Sequence, residues 1–120
     1  MTRFAASSPA IVLAVMLAGG MGAVPEVIAE TVIEEGKRIA TDRRRGNCMS
    51  CHLMDNTTLP GNIGPPLIAM KARFPDKAKL RAQIWDSNQF NENSLMPPFG
   101  RHEVLTEDEI DKVVEYIHSL

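Results

Sequence analysis

The sequence has few cysteines and few aromatic residues. Its 120 residues include two cysteines, one tryptophan, one tyrosine and four phenylalanines. Two cysteines can form at most one disulfide, and no second pair of cysteines or of Cys and His is present to complete a zinc site. The formal net charge is also small, at −2. A general nucleic-acid-binding protein carries a strongly basic face, so this balance argues against that class of function.

The start of the chain has the three parts of an export signal. Arg3 gives a positive beginning, residues 11–18 are apolar, and small residues follow up to a cleavage position after Ala29, with Ala23 as the alternative. A membrane anchor is the competing interpretation, but the apolar run is short and interrupted by glycines. We therefore expect residues 1–29 to be a cleaved signal peptide. The mature domain would then be residues 30–120, exported to the periplasm.

The most specific motif is Cys48-Met49-Ser50-Cys51-His52. This spacing is typical of covalent c-type haem attachment, in which each thiol joins one vinyl group and the histidine binds the iron. A thioredoxin-like redox disulfide between Cys48 and Cys51 is the alternative, but that motif follows a strand, and no strand-rich run precedes Cys48. We predict one covalently bound haem c per chain, with His52 as an axial ligand. A buried porphyrin would also enlarge a core that is thin for so small a domain.

A loop downstream of the motif can orient His52. Residues 55–66 are rich in Asn, Thr, Gly and Pro, which predicts a turn-rich segment. A metal-bound histidine usually donates its second ring N–H to an acceptor, and a proline-bearing turn can offer a rigid carbonyl. Pro65 is the first candidate for that acceptor and Pro66 the second; a plain turn is the remaining interpretation.

A second proline-stiffened loop, Ser94-Leu95-Met96-Pro97-Pro98-Phe99-Gly100, carries a methionine. A second axial ligand must reach the iron from the face opposite His52, which requires a long excursion of the chain. The prolines cannot continue a helix and restrict the loop that presents the sulfur. Met96 is therefore the predicted second ligand, and His102 and His118 are the alternatives.

Helical patterns occupy most of the remaining chain. Apolar residues recur at helical spacing from about residue 30 to 42, with Gly36 among them. The apolar run 67–70 predicts a short helical turn, and Pro75 is suited to the first turn of a helix that ends near Asp86. The sequence has no strand pattern and no internal repeat, so we predict an all-α fold filled by the haem.

The last helix has the clearest boundary. Thr106 and Glu109 have the spacing of a capping box, and Leu105 and Ile110 have that of a hydrophobic staple. The helix also carries an apolar stripe, consisting of Ile110, Val113, Val114 and Ile117. That stripe can cross the first helix at Gly36, where the missing side chain permits close approach of the two backbones.

Residues 30–120 resemble class I cytochromes c and, more narrowly, the SoxX family of small cytochrome subunits from the bacterial SoxAX thiosulfate-oxidising complex. The stretches that carry the resemblance are 43–52, 60–67 and 94–100. The resemblance implies a small class I cytochrome c fold wrapped around one haem. It further implies haem attachment through Cys48 and Cys51, axial ligation by His52 and Met96, and a place for Pro65 and Leu67 beside the haem.

The same resemblance implies a function and partners. SoxX pairs with the SoxA cytochrome in a heterodimer that joins thiosulfate to a cysteine of the SoxYZ carrier, an L-cysteine S-thiosulfotransferase reaction. This chain would be the non-catalytic subunit that accepts the released electrons and passes them to a downstream acceptor, without binding nucleic acid and without a stable membrane span.

Two other functions fit the residues. A free-standing periplasmic electron carrier for another oxidoreductase would have the same site. An open-iron haem enzyme or sensor would lack the bond to Met96. The basic run 43–45 is interpreted as a solvated face, with a docking patch or a contact to the haem propionates as the sharper alternative.

Overall fold

Four α-helices and two short 3₁₀ helices form the part of the protein that the structure, a computed structural model, describes. That part comprises residues 30–55 and 60–120, so the predicted leader at 1–29 lies outside it. The α-helices are α1 (Val32–Thr41), α2 (Met70–Arg73), α3 (Lys77–Trp85) and α4 (Glu107–Ser119), and the 3₁₀ helices are Cys48–Ser50 and Ser87–Gln89. Within the described ranges the only β pairing is an isolated bridge between Met54 and Leu67. The all-α prediction is confirmed.

Both long helices begin with a capping box. The Thr106 hydroxyl accepts the N–H of Glu109, and the Glu109 carboxylate accepts the N–H of Thr106, as predicted. The same reciprocal pair joins Thr31 and Glu34 at the start of α1, a signature that the sequence analysis did not use. Each box satisfies N–H groups that would otherwise lack a partner at the first turn.

Helices α1 and α4 cross at Gly36, as predicted. A Cβ atom built on Gly36 would lie 2.7 Å from the carbonyl carbon of Lys112 and 3.0 Å from the Cβ of Tyr116. Only glycine permits so close an approach of the two backbones. The predicted apolar stripe of α4 is buried along its whole length, at Ile110, Val113, Val114 and Ile117.

Two helix starts differ from the prediction. Helix α3 begins at Lys77 and is capped by Asp76, whose carboxylate accepts the N–H of Ala78, so Pro75 lies before the cap and not in the first turn. The helical turn expected at 67–70 begins only at Met70. Leu67 is extended there, because its N–H donates to the carbonyl of Leu53 at 2.7 Å.

No helix in the two described ranges is long and apolar enough to cross a bilayer.

Candidate haem-binding site

One cavity of about 710 Å³ collects the residues that the sequence analysis singled out. Small-molecule and cofactor sites have volumes of roughly 300–1,000 Å³. The predicted thiols and both predicted axial ligands line this cavity, and so do Pro65 and Leu67. Apolar side chains complete the walls, among them Leu80, Ile84, Phe99, Val113 and Ile117. A cavity of this size, with thiol, imidazole and thioether groups in apolar walls, fits a haem.

The Cys-x-x-Cys-His segment folds into a single tight turn. Asn47 precedes it in the left-handed conformation, with φ of 47°. The carbonyl of Cys48 then accepts the N–H groups of Cys51 at 3.2 Å and His52 at 2.9 Å. These two bonds keep the three residues close together, and all three line the cavity.

Cys48 and Cys51 are not joined as a disulfide. Burial raises the pKa of the Cys48 thiol to about 11. Redox-active cysteines of the thioredoxin type work as thiolates and have a lowered pKa. The environment of Cys48 therefore does not favour the thiolate on which the redox alternative depends.

His52 is held in one orientation by the loop that follows it. Its Nδ1 lies 2.7 Å from the carbonyl oxygen of Pro65. Since a carbonyl can only accept a hydrogen bond, Nδ1 carries the proton and Nε2 presents its lone pair, as an iron ligand must. The structure thus selects Pro65 over Pro66, whose carbonyl accepts a hydrogen bond from Arg73 at 2.6 Å.

Gly64 packs directly against the imidazole. A Cβ atom on this residue would lie 2.5 Å from Nδ1 and 2.9 Å from Nε2 of His52. The Gly64 N–H also donates to the carbonyl of Cys51 at 2.8 Å, which ties the loop to the motif. The imidazole ring is therefore held both by its hydrogen bond to Pro65 and by contact with the backbone of Gly64.

Met96 reaches the cavity from the loop between α3 and α4, and its side chain is half-buried. Neither alternative histidine lines the cavity. His102 is exposed, and Nε2 of His118 lies 3.1 Å from the carbonyl of Phe74. Met70 also lines the cavity, but its sulfur accepts a hydrogen bond from Arg73 at 3.4 Å. Met96 is the better placed of these residues to bind a metal there.

Ser87 is a site residue that the sequence analysis missed. It is completely buried, and its hydroxyl contacts both Ser94 and the carbonyl of Met96. A serine in a polar, turn-like segment gives no pattern that separates it from its neighbours, so no signal in the sequence identifies this contact.

Basic and apolar side chains surround the mouth of the cavity. Arg43 and Arg44 are exposed, whereas Arg45 forms an ion pair with Glu109 of α4. Ile63 and Leu95 also line the cavity, and they remain 67% and 82% exposed, respectively. The mouth therefore combines positive charge with exposed apolar area.

Comparison with known proteins gives a family, a relative and a related structure. The family described as cytochrome c oxidase, cbb3-type, subunit III matches residues 31–117. An uncharacterized lipoprotein of Aquifex aeolicus (strain VF5) is 34% identical over 77 residues, which cover 63% of this chain and 37% of that protein. The chain therefore spans little more than a third of that relative's length.

A chain in the crystal structure of SoxXA from P. pantotrophus is similar in fold, with a TM-score of 0.64 and 28% sequence identity. The similarity covers 72% of this chain and 79% of that one. Since the family match extends over nearly all of the described residues, this chain belongs to the cytochrome c family described as cytochrome c oxidase, cbb3-type, subunit III, with a small class I cytochrome fold of the SoxX type.

Proposed function

We propose that this chain is a monohaem c-type cytochrome that transfers electrons within a SoxAX-type complex during thiosulfate oxidation. The observation that carries the proposal is that His52 and Met96 line the same cavity as both thiols of the motif. His52 is oriented there by the carbonyl of Pro65. When bound, a haem supplies a one-electron couple, and Met/His ligation raises its reduction potential.

Each residue of the site has a defined task in this proposal. Cys48 and Cys51 would hold the porphyrin covalently, and His52 and Met96 would both bind its iron. Two protein ligands would leave no coordination site for a substrate, which favours electron transfer over an open-iron enzyme or sensor. The apolar walls would exclude water from the iron.

The side chains at the mouth of the cavity support the proposal that this chain binds a protein partner. Exposed apolar residues with positive charge beside them are typical of surfaces that bind another protein. The proposed partner is a SoxA-type cytochrome in a heterodimer, and the SoxYZ carrier would bear the sulfur substrate. The choice of a SoxA-type partner is supported by the similarity of this chain to a chain of SoxXA. Electrons would then pass from this haem to a downstream acceptor.

The proposed location is the periplasm. It rests on the signal-like residues 1–29 and on the requirement of c-type haem for attachment outside the bacterial cytoplasm.

The experiment that tests this function is purification of the tagged full chain from periplasm under mild conditions, followed by haem staining of a denaturing gel. We expect a stained band at the size of this chain, since covalent haem survives denaturation, and a larger co-purifying cytochrome. Thiosulfate with the SoxYZ carrier should then reduce the haem in the purified complex, as read from the visible spectrum.

A charge variant sharpens the test of the partner. Arg44→Glu places negative charge at the mouth of the cavity, whereas Arg38→Glu places it on α1 at a residue that does not line the cavity. Only the first should weaken co-purification. A stained chain that elutes alone would favour the free-standing carrier, and an unstained chain would refute covalent haem binding.

A further inference from the structure

Two serine hydroxyls contact the main chain of Met96. The Ser87 Oγ atom lies 3.0 Å from the carbonyl oxygen of Met96 and 2.8 Å from the Oγ of Ser94. The N–H of Met96 donates to the Oγ of Ser94 at 3.2 Å. Ser87 is 0% exposed, so water cannot replace these bonds.

The protons of the two hydroxyls can be assigned from chemistry alone. A serine hydroxyl has one proton to donate, and a carbonyl only accepts. Ser87 therefore donates to the Met96 carbonyl, and Ser94 donates to Ser87 while it accepts from the Met96 N–H. The three bonds close a ring that satisfies both main-chain polar groups of Met96.

Ser87 is anchored to a buried frame. It is the first residue of the 3₁₀ helix Ser87–Gln89, which Asp86 caps by accepting the N–H of Asn88 at 3.2 Å. Asp86 is itself buried and forms an ion pair with Arg101 at 3.3 Å. The ring thus connects the main chain of Met96 to side chains that cannot move without disturbing the interior.

The loop is restrained on the side that follows the prolines, where Pro98 and Phe99 are buried and the N–H of Gly100 donates to Trp85, but less so at Met96 itself. Leu95 is exposed, and the two residues after Met96 are prolines, which have no N–H to donate. Prolines restrict the conformation of the residue before them but cannot donate a hydrogen bond, and the Pro98 carbonyl accepts the N–H of His102 and not of Met96. At this point of the loop, the hydrogen bonds of Ser87 and Ser94 supply that restraint.

We propose that Ser87 and Ser94 are positioning residues, a hydrogen-bonded clamp that keeps the Met96 sulfur bound to the haem iron. This inference rests on the proposed function, in which Met96 is an axial ligand. Loss of either hydroxyl should leave the helices in place and increase the fraction of protein whose Met96 has left the iron.

The test is competition for the iron by added imidazole in the haem-loaded protein. Loss of the weak near-infrared charge-transfer band of Met-ligated ferric haem reports displacement of the sulfur. Ser94→Ala and Ser87→Ala should each lower the imidazole concentration needed for half-displacement by about tenfold, which corresponds to about 1.4 kcal/mol. Each variant removes two of the three bonds and takes away the partner of one main-chain group of Met96, the carbonyl in Ser87→Ala and the N–H in Ser94→Ala. A fall of this size is expected when such a group loses its hydrogen bond.

Three further variants make the result specific. Ser94→Thr keeps a hydroxyl at a half-buried position and should restore nearly normal imidazole affinity. Ser119→Ala removes a serine that donates to the carbonyl of Tyr116 in α4, away from the cavity, and should change nothing. Met96→Ala should lose the charge-transfer band without any imidazole.

The possible outcomes separate the clamp from the proposed function. If Met96→Ala keeps the band, Met96 is not the ligand, and both proposals fail. If Met96→Ala loses the band but neither serine-to-alanine variant binds imidazole more tightly, the clamp alone is refuted. Equal weakening by Ser94→Ala and Ser94→Thr also refutes it, since the hydroxyl would then be irrelevant. Should Ser87→Ala fail to fold, the two Ser94 variants decide the question.

Discussion

Replacing Gly64 by alanine should displace the imidazole of His52. The backbone of Gly64 is not in the left-handed region, so alanine is compatible with its conformation, and any effect must come from the added methyl group. That methyl would lie 2.5 Å from Nδ1 and 2.9 Å from Nε2 of His52. Favourable non-bonded contacts lie at about 3.5–4.0 Å, so the ring must move by roughly 1 Å.

A movement of that size breaks the bond that orients the ligand. The Nδ1 to Pro65 oxygen distance is 2.7 Å, and an increase of about 1 Å takes it beyond hydrogen-bonding range. With His52 as the proposed iron ligand, this hydrogen bond would make it a stronger electron donor and favour the ferric iron. Its loss should therefore raise the reduction potential, by up to about 40 mV if the bond contributes about 1 kcal/mol to the difference between oxidation states.

The assay is a redox titration of the haem-loaded Gly64→Ala protein, followed in the visible spectrum. Gly36→Ala is the matched control, because its methyl would lie 2.7 Å from the carbonyl carbon of Lys112, at a residue that does not line the cavity, and would not contact His52. We expect the control to lose stability but keep its potential. An unchanged potential in Gly64→Ala, or an equal change in both variants, would refute the role assigned to Pro65.

Three other predictions concern the fold. Gly36→Ala should lower the free energy of unfolding by about 1–3 kcal/mol in a urea titration, because its methyl would clash with the Lys112 carbonyl group. Thr106→Ala should cost about 1 kcal/mol, a fall of about 4–8 °C in the midpoint of thermal unfolding, since it removes the cap of α4. Tyr116→Phe should keep or raise stability at neutral pH by up to about 1 kcal/mol, because the buried hydroxyl has no hydrogen-bond partner among the described residues. Burial also raises the pKa of Tyr116, so its native form stays protonated to higher pH than the unfolded chain. Its contribution is present below a pH of about 10 and is lost as pH rises through the native pKa, a loss that the Phe variant should lack.

A definite result would contradict each of these three predictions. Alanine normally stabilises a helix relative to glycine by about 1 kcal/mol, so a more stable Gly36→Ala protein would contradict the tight crossing of α1 and α4. Thr31→Ala removes the corresponding cap of α1 and should give a loss similar to that of Thr106→Ala; no loss in either variant would contradict the capping boxes. A Tyr116→Phe protein with the same alkaline unfolding as the parent would show that Tyr116 does not contribute to it.

The features that the sequence predicted correctly depend on neighbours in the chain or on strict chemical requirements. The capping box at Thr106 is a local pattern of two residues, and Gly36 indicates a crossing because a glycine in an apolar helical face lowers stability unless it permits close packing. The hydrogen bond from His52 to Pro65 could be anticipated because an oriented imidazole needs an acceptor and a rigid turn follows the motif.

The features that it did not predict depend on residues distant in the sequence. At the start of α2 the N–H of Met70 donates to the carbonyl of Leu120, which lies 50 positions further along the sequence. The burial of Ser87 follows from the return of the Met96 loop over it. Such contacts follow from the folded path of the chain and leave no periodic pattern in the sequence.

The most direct measurement of the central claim is near-infrared magnetic circular dichroism of the ferric, haem-loaded protein, which reports the pair of axial ligands. We predict the charge-transfer band of histidine–methionine ligation, from His52 and Met96. A band for two nitrogen ligands would place His102 or His118 on the iron, and a high-spin spectrum would indicate an open coordination position. The first result would contradict ligation by Met96, and the second would contradict an iron that is closed on both faces.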